Sequence, residues 1–191
     1  MADLTYYIAT TLDGFIADDA GDTSFFPADN DYLAALATEY PETFPGQFRE
    51  PFGISDAANR HFDTVVMGRH TYQPALDAGL TSPYPHLDQH VVSSTLEGDA
   101  DSGITVIGSD PLGAIRDLKM QDRLGIWLCG GGVLAASLVG EIDQLILKVN
   151  PVAIGAGRPL FDSHIPRDAF THTGSTTHDN GVIVLRYSKA A

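Results

Sequence analysis

Two segments of the sequence place glycine and polar residues where an apolar strand is predicted to meet a helix, and both could bind phosphate. In VVMGRHTY, Gly68 allows close approach to the backbone, while Arg69 and Thr71 offer a guanidinium and a hydroxyl at a predicted helix start. A helix N-terminus attracts anions through its free N–H groups and its dipole. In WLCGGGVLAASL, the glycine triplet 130–132 could point backbone N–H groups at a ligand.

Two further predicted strand ends carry a turn or adjacent hydroxyls. ATTLDGFIA turns at Asp13-Gly14, and VVSST places Ser93 and Ser94 at the end of a strand. In open α/β sheets, ligands bind where strands end and helices begin, so the four ends together fit a dinucleotide that carries an extra phosphate. Each end also has a purely structural alternative, as a turn, a loop, a strand–helix joint or a site of close helix–sheet packing.

The glycine triplet by itself allows three interpretations. The uncharged run Leu124–Gly140 is shorter than the ~20 apolar residues of a spanning helix, which disfavours a membrane segment. No third spaced glycine follows, so the triplet is not the G-x-G-x-x-G of Rossmann folds. A phosphate-binding turn and a packing joint both remain open.

Composition limits the classes of function. With 25 acidic and 11 basic residues, the net charge of −14 disfavours binding to nucleic acid, whose phosphates would be repelled. The single cysteine, Cys129, excludes an internal disulfide framework, and the seven histidines show no metal-ligand spacing. The N-terminus lacks the basic segment of a signal peptide. We therefore expect a cytoplasmic protein with no metal and no membrane attachment, and we interpret Cys129 as an inert thiol.

Apolar patterns predict strands that alternate with helices until a final hairpin. The predicted strands are Leu4–Thr10, Asp63–Gly68, Gln89–Ser93, Ile104–Ile107, Ile126–Cys129, Ile142–Asn150, Phe170–Thr177 and Gly181–Tyr187. The predicted helices are Asp29–Glu39, Ser55–Phe62, Arg69–Leu76, Pro111–Met120 and Val133–Val139, with Tyr40–Gly53 as a loop. This alternation is typical of an α/β fold. We expect one domain over residues 1–191, with a mostly parallel central sheet, an antiparallel C-terminal hairpin closed by an Asn-Gly turn, and helices on both faces.

The order of these segments resembles the dihydrofolate reductase superfamily, in particular the branch related to the C-terminal reductase domain of the bifunctional riboflavin-biosynthesis deaminase–reductase. The matching motifs are ATTLDGFIA, VVMGRHTY, VVSS, CGGGVL and NPVAIGAGRPLF, which together span residues 9–161. The last motif resembles this branch rather than orthodox dihydrofolate reductase. The resemblance implies a dihydrofolate reductase-like three-layer fold, and also a homodimer, because the branch commonly dimerises.

The resemblance further implies an NADPH site. Arg69 and its neighbours would hold phosphates, with the serine pair near the adenosine 2′-phosphate. The glycine triplet would present N–H groups to the pyrophosphate, with a cis peptide between its first two glycines, and Thr11–Pro27 would act as a mobile lid. The residues implied for the cofactor are Ala9, Thr10, Leu12, Asp13, Gly14, Gly68, Arg69, Thr71, Ser93, Ser94, Gly130, Gly131, Gly132 and Val133. The first five would border the nicotinamide.

Asp29 is the candidate catalytic residue by the same resemblance. Orthodox dihydrofolate reductases place a buried carboxylate at the start of the first helix, and the segment FPAD, residues 26–29, stands at a comparable place. There Asp29 would bind the amino-pyrimidine edge of a substrate and raise the proton affinity of its ring. As an alternative, Asp29 is a suitable N-cap for the predicted helix. His70 is interpreted as structural, because its position faces away in relatives.

The preferred prediction is an NADPH-dependent reductase that transfers hydride to a C=N or C=O bond of a small pterin-, folate- or pyrimidine-like substrate. A first alternative is the riboflavin-pathway reduction of a ribosylamino-pyrimidine phosphate, for which Arg158 is an available phosphate ligand. A second alternative is a non-catalytic nucleotide-binding protein that retains the fold, because a fold alone does not establish activity.

Overall fold

The computed structural model describes residues 1–97 and 102–190. Within them the strands are β1 Leu4–Thr10, β2 Phe15–Ala17, β3 Thr64–Gly68, β4 Asp88–Val92, β5 Thr105–Ile107, β6 Ile126–Gly130, β7 Gln144–Val149, β8 Arg158–Pro159, β9 Phe170–Thr177 and β10 Ile183–Lys189. The helices are α1 Asn30–Glu39, α2 Gly46–Arg49, α3 Arg69–Asp77, α4 Pro111–Lys119 and α5 Gly132–Ser137, with 3₁₀ turns at Pro41–Thr43 and Val139–Glu141.

In these described ranges, eight strands form one sheet in the order β5-β4-β3-β6-β1-β7-β10-β9. The pairings from β5 through β7 are parallel, whereas β10 pairs antiparallel with both β7 and β9. The prediction of a mostly parallel sheet with an antiparallel C-terminal hairpin is therefore confirmed. The hairpin turns through His178–Gly181, where Gly181 N donates to His178 O and Gly181 takes a positive φ of 84°.

Alternation along the strands divides the apolar side chains between two cores, because successive strand residues point to opposite faces. Tyr7 and Trp127 belong to the core that α1 and α3 cover, whereas Tyr6 and Leu128 belong to the core that α4 and α5 cover. Helices thus pack on both faces of the sheet, as predicted. None of the helices in residues 1–97 and 102–190 combines the length and apolarity that crossing a bilayer requires.

The predicted helix over Ser55–Phe62 is wrong, and the predicted loop Tyr40–Gly53 contains α2 and a 3₁₀ turn. One buried carboxylate explains the first difference. Glu42 has no exposed surface, and its oxygens accept hydrogen bonds from the backbone N–H groups of Arg60, His61 and Phe62. These N–H groups are bound by a side chain 18 to 20 residues away rather than by carbonyls one helical turn earlier.

A small second sheet was missed in the sequence. Strands β2 and β8 pair antiparallel, with Phe15 opposite Pro159 and Ala17 opposite Arg158. The N–H of Leu160 also donates to Gly14 O at 2.9 Å. This pairing ties part of the predicted lid, Thr11–Pro27, to the segment that follows β7. Motion of the lid stays a prediction.

Candidate functional site

A cavity of about 660 Å³ lies where β3 and β6 end and the following helices begin. Its walls come from the start of α3, from the glycine turn before α5, and from the segment that contains β2. Cavities at the carboxyl ends of parallel strands are the usual ligand sites of open α/β sheets. The cavity therefore lies at two of the four strand ends that the sequence singled out, those at Gly68 and at the glycine triplet.

The start of α3 supplies the polar side chains of this cavity. Gly68 lies next to the glycine turn, since a Cβ there would stand 3.4 Å from Gly130 O and 3.5 Å from Gly131 N, at van der Waals contact. Arg69 and Thr71 follow it and line the cavity. Within the part of the chain that is described, the Arg69 Nη1 atom is buried without a hydrogen-bond partner. A buried guanidinium nitrogen without a partner is costly, and a bound anion would satisfy it.

Of the two roles that the sequence left open for the glycine triplet, the structure shows packing, while phosphate binding stays a prediction. A Cβ on Gly132 would stand 2.2 Å from Pro159 O, so this glycine is required for close packing against β8. A Cβ on Gly131 would make only ordinary contacts, 3.6 Å from Thr71 Oγ1 and 3.9 Å from Ile16 Cδ1, at the wall of the cavity. The peptide bond between Gly130 and Gly131 is cis, as the resemblance implied. Val133, the next residue, is exposed and also lines the cavity.

The residues predicted to border the nicotinamide lie elsewhere. The five are Ala9, Thr10, Leu12, Asp13 and Gly14, and none of them lines the cavity, whereas Ile8, Ile16 and Ala17 do.

Asp13 itself binds the neighbouring loop. Its carboxylate accepts from Gly155 N at 2.7 Å, from Ile154 N, and from Thr11 Oγ1 at 2.6 Å. The Thr11 hydroxyl and then the Gly155 N–H lower the pKa of Asp13. These hydrogen bonds give the Asp13 carboxylate a structural role. A cofactor role for Ala9, Thr10, Leu12, Asp13 and Gly14 stays a prediction.

Asp29 is exposed and lies outside the residues that line the cavity. Its Oδ1 accepts from Tyr32 N at 3.0 Å, and its Oδ2 accepts from Asn180 Nδ2 at 2.5 Å. The Tyr32 N–H, followed by the Asn180 amide, lowers the pKa of Asp29, which keeps the carboxylate ionised at neutral pH. The N-cap alternative is therefore present in the structure, while the catalytic role stays a prediction.

The serine pair after β4 also has a structural use. Ser93 is buried, and its hydroxyl accepts hydrogen bonds from the N–H groups of Thr95 and Leu96, which closes a turn. Ser94 is exposed. Neither serine lines the cavity, although their neighbour Val92 does. Contact of the pair with a 2′-phosphate stays a prediction.

The lining of the same cavity also includes His70, Arg158 and Asp162, which are outside the predicted cofactor set. His70 is exposed and forms part of its wall, so the expectation that it faces away is wrong. The reason is its place in the first turn of α3, which borders the cavity. Arg158 lies on β8 with its guanidinium against Gly21, where a Cβ would stand 2.9 Å from Nη2. Asp162 is the acidic residue of the wall.

A smaller recess of about 210 Å³ adjoins the main cavity, because Thr71, Pro74 and Cys129 line both. We call it the side recess. Apart from Gln47, its other walls are apolar or aromatic and include Met67 and Tyr84. Burial raises the pKa of the Cys129 thiol to about 12, so it is protonated and a weak nucleophile at neutral pH, in agreement with an inert thiol.

Lys148, which the sequence alone did not single out, contacts the Tyr7 ring and is not among the residues that line either cavity. It is half-buried on β7 opposite Ala9 of β1, and its Nζ lies 3.9 Å from the centre of the Tyr7 ring. Burial lowers the pKa of Lys148 to about 8, and Cys129 is the neighbour that opposes this shift. The signal that could have found it is a lysine within the apolar strand QLILKV.

The sequence is similar to one protein family and to two proteins of Bacillus subtilis. The sequence profile of the family described as "RibD C-terminal domain" matches residues 2–184. The uncharacterized protein YwjB of Bacillus subtilis (strain 168) is 30% identical over 159 residues, which cover 81% of this chain and 80% of that protein. The uncharacterized protein YyaP of the same strain is 25% identical, with 94% and 91% covered.

Three solved structures share the fold. A protein of Shewanella sp. PV-4, provisionally described as a riboflavin biosynthesis protein, superimposes with a TM-score of 0.71 at 22% identity, with both chains fully covered. The deaminase/reductase of Thermotoga maritima gives 0.64 at 15% identity, and the match covers 99% of this chain and 57% of that one. Dihydrofolate reductase of Enterococcus faecalis, complexed with NADP(H), gives 0.63 at 15% identity, with 99% and 97% covered. The predicted dihydrofolate reductase-like fold is confirmed.

Proposed function

Because the chain belongs to the RibD C-terminal domain family, we propose that it is an NADPH-dependent reductase of a small pterin-, folate- or pyrimidine-like substrate. The observation that carries the proposal is the buried Arg69 Nη1 atom, which has no partner among the described residues and belongs to a residue that lines the main cavity. In a chain with a net charge of −14, a cationic group left unpaired in a cavity favours an anionic ligand.

The residues of the cavity fit a phosphorylated cofactor. Arg69 and Arg158 supply two guanidinium groups, and α3 is a nine-residue helix whose first turn points its free N–H groups toward the same space. Gly131 keeps a backbone surface open between them. We propose that these residues hold the phosphates of NADPH, and that Ile8 and Ile16 pack against its apolar parts. When bound, NADPH would supply the hydride, and the protein's own part is to orient the two reactants and exclude water.

The side recess is the proposed substrate site. It adjoins the cofactor cavity, so a planar ring seated there would lie beside the cofactor. Its mostly apolar and aromatic walls, with Gln47 and Thr71 as polar exceptions, suit the faces of a heterocycle, as is usual for small-molecule sites. The relatives point the same way, since the Thermotoga maritima protein is a reductase of an aminouracil compound and the Enterococcus faecalis protein reduces dihydrofolate.

Cofactor binding by Arg69 is tested with the substitution Arg69→Gln. We expect NADPH affinity, measured by isothermal titration calorimetry, to fall about 10–100-fold, because a charge-assisted hydrogen bond contributes ~1.5–3 kcal/mol. The exposed Arg167, outside the cavity, provides the control Arg167→Gln, which should leave the affinity unchanged. The wild-type protein should prefer NADPH to NADH. Equal affinity of wild type and Arg69→Gln for NADPH would contradict the proposal.

Two alternatives are separated by activity. Arg158 lies in the main cavity, which would favour the riboflavin-pathway reaction if its guanidinium bound a substrate phosphate rather than the cofactor. Oxidation of NADPH with the ribosylamino-pyrimidine phosphate but not with dihydrofolate would support that reaction. NADPH binding without oxidation by any member of a pterin and pyrimidine panel would support the non-catalytic alternative.

The remaining parts of the proposal rest on length and composition, and the dimer rests on the family resemblance. We propose one domain over residues 1–191, a homodimer, a cytoplasmic location, and no interaction with nucleic acid or membranes. Equilibrium sedimentation measures the oligomeric state directly, and a monomer at micromolar concentration would contradict the dimer.

A further inference from the structure

Gln47 of α2 brings a carboxamide to the side recess. Thr71, Pro74 and Cys129 line both cavities, whereas Gln47 lines only the side recess. Gln47 is exposed, and among the described residues no group is hydrogen-bonded to its carboxamide. It lies outside the motifs that resemble the reductase family, so the resemblance assigns it no role. A carboxamide that is free at the wall of a cavity can both donate to and accept from a ligand that enters.

The backbone that carries Gln47 is fixed on both sides. The preceding N–H, of Gly46, donates to Pro83 O at 2.8 Å, and Pro83 lines the same recess. Two residues after Gln47, the guanidinium of the buried Arg49 donates to two backbone carbonyls, at 2.7 and 2.8 Å. Because these contacts hold the backbone in place, a ligand in the recess has only the rotamers of one side chain to order.

The recess around this carboxamide holds no charged group. No Asp, Glu, His, Lys or Arg is among the described residues that line it. Burial raises the pKa of Cys129 to about 12 and raises that of Tyr84 above its ordinary value, so both side chains are neutral at neutral pH. An ion in the recess would lose its hydration without gaining a countercharge, so the recess favours an uncharged ring.

We propose that Gln47 determines substrate specificity: its carboxamide binds a ring edge of the substrate on which an N–H donor lies beside a carbonyl acceptor. This is the lactam edge of a uracil-like or pterin-like ring. The Gln47 oxygen accepts from the ring N–H, while its NH₂ group donates to the ring carbonyl. The inference rests on the proposed function, because that function assigns the side recess to the substrate.

This pairing differs from the one that the resemblance assigned to Asp29. A carboxylate only accepts hydrogen bonds, so it suits a protonated amino-pyrimidine edge that carries donors alone. A carboxamide is neutral and carries one acceptor beside its donors, so it suits a lactam edge. The side recess would therefore select uncharged lactam rings over protonated amino-pyrimidines.

The test compares two probes that differ in their N–H groups. Uracil has lactam edges, whereas 1,3-dimethyluracil keeps the ring and both carbonyls but carries methyl groups in place of the N–H hydrogens. We expect the full-length wild-type protein to bind uracil more tightly than 1,3-dimethyluracil in calorimetry, with and without NADPH. Gln47→Leu, which is similar in size and lacks hydrogen-bonding groups, should weaken uracil binding about tenfold, because two hydrogen bonds are lost. The control Gln121→Leu, at an exposed glutamine that lines neither cavity, should bind uracil as the wild type does.

A reversal of specificity provides the second readout. Gln47→Glu replaces the NH₂ donor with a second acceptor and adds a negative charge. At pH 6.5, where 2,4-diaminopyrimidine is mostly protonated and carries donors, the wild type should prefer uracil and Gln47→Glu should prefer 2,4-diaminopyrimidine. A purely structural role of Gln47 would lower the affinity for both probes together and would not reverse the preference.

Three results would overturn the proposal: a wild type that binds no uracil, a wild type that binds 1,3-dimethyluracil as tightly as uracil, or Gln47→Leu with wild-type affinity for uracil. The melting temperature of Gln47→Leu should stay close to that of the wild type, because this exposed side chain has no hydrogen bond to lose within the described ranges. A lost affinity would then not come from misfolding.

NADPH titration separates this inference from the proposed function. Gln47 does not line the main cavity, so Gln47→Leu should bind NADPH as the wild type does. Failure of the proposed function would appear as a wild type that binds no NADPH. Failure of the inference alone would appear as wild-type uracil binding by a Gln47→Leu variant that still binds NADPH.

Discussion

The turn after β1 and the glycine turn after β6 look alike in sequence, since both follow an apolar strand and both carry glycine. In the structure they differ in what satisfies their polar groups. The Asp13 carboxylate of the first turn is bound by the N–H groups of Ile154 and Gly155. The second turn keeps Gly131 open at the cavity, whose lining also includes Arg69, and the Arg69 Nη1 atom has no partner within the described ranges. A polar strand end is thus available to a ligand only where distant parts of the chain leave its polar groups unsatisfied.

The largest effect is expected inside the glycine turn itself. Gly132→Ala would place a Cβ 2.2 Å from Pro159 O, a backbone atom that can move only with β8. We expect the free energy of unfolding to fall by about 2–3 kcal/mol in urea titrations at pH 7, because overpacking forces the backbone to shift.

Gly140→Ala is the matched control for this change. A Cβ on Gly140 meets no heavy atom within 4 Å, so this variant should be as stable as the wild type or slightly more stable. If the two variants were equally stable, Gly132 would not be a packing residue. The distinction between Gly132, which packs against β8, and Gly131, which lines the cavity, would then not hold.

Gly131→Ala tests the other half of that division. Its Cβ would make ordinary contacts with Thr71 Oγ1 and Ile16 Cδ1, so the melting temperature should stay close to that of the wild type. NADPH affinity should fall about tenfold in calorimetry, corresponding to ~1.4 kcal/mol, because the methyl group would occupy space at the cavity wall. If this variant bound NADPH normally, Gly131 would have no role in cofactor binding, and packing would be the only role left for Gly131 and Gly132.

The smallest effect is expected in the turn after β1. Asp13→Ala should lower the melting temperature without changing NADPH affinity more than about threefold, because its carboxylate binds the loop and not the cavity. Since the folded-state pKa of Asp13 lies below 3.8, the advantage of the wild type should be complete at neutral pH. It should disappear as the pH falls through the folded-state pKa.

Asp19→Ala, a change at an exposed aspartate of the same segment, is the control for charge removal. If Asp13→Ala lost much NADPH affinity and Asp19→Ala did not, Asp13 would contact the cofactor. The two turns would then not differ in the way described above.

The parts of the fold that could be predicted depend on local periodicity. The alternation that separates Tyr6 from Tyr7 is visible in the sequence, and so are the apolar faces of the helices. The Gly68-Arg69 turn could also be predicted, because a strand, a glycine and a helix start follow one another directly. These features need only residues that are neighbours in the chain.

The parts that could not be predicted depend on distant partners. The Glu42 carboxylate binds N–H groups that the predicted helix Ser55–Phe62 would have used. The residues of that segment give no sign of this distant partner. Strands β2 and β8 have three and two residues, too few for a periodic pattern, and are separated by most of the chain. Lys148 becomes notable only when the register places it against β1 and Tyr7.

The aromatic packing behind the side recess gives the protein an optical reporter of its own. Trp127 is the only tryptophan of the sequence, and its ring lies 5.1 Å from that of Tyr84, which lines the recess. Its indole N–H donates to Tyr7 O at 3.0 Å, on the strand residue whose ring carries the Lys148 ammonium. The tryptophan emission of this protein therefore comes from Trp127 alone. The indole ring packs against Tyr84 of the recess wall and is hydrogen-bonded to Tyr7, whose ring contacts Lys148. Occupancy of the recess should change that emission, so a ligand can be followed in unlabelled protein.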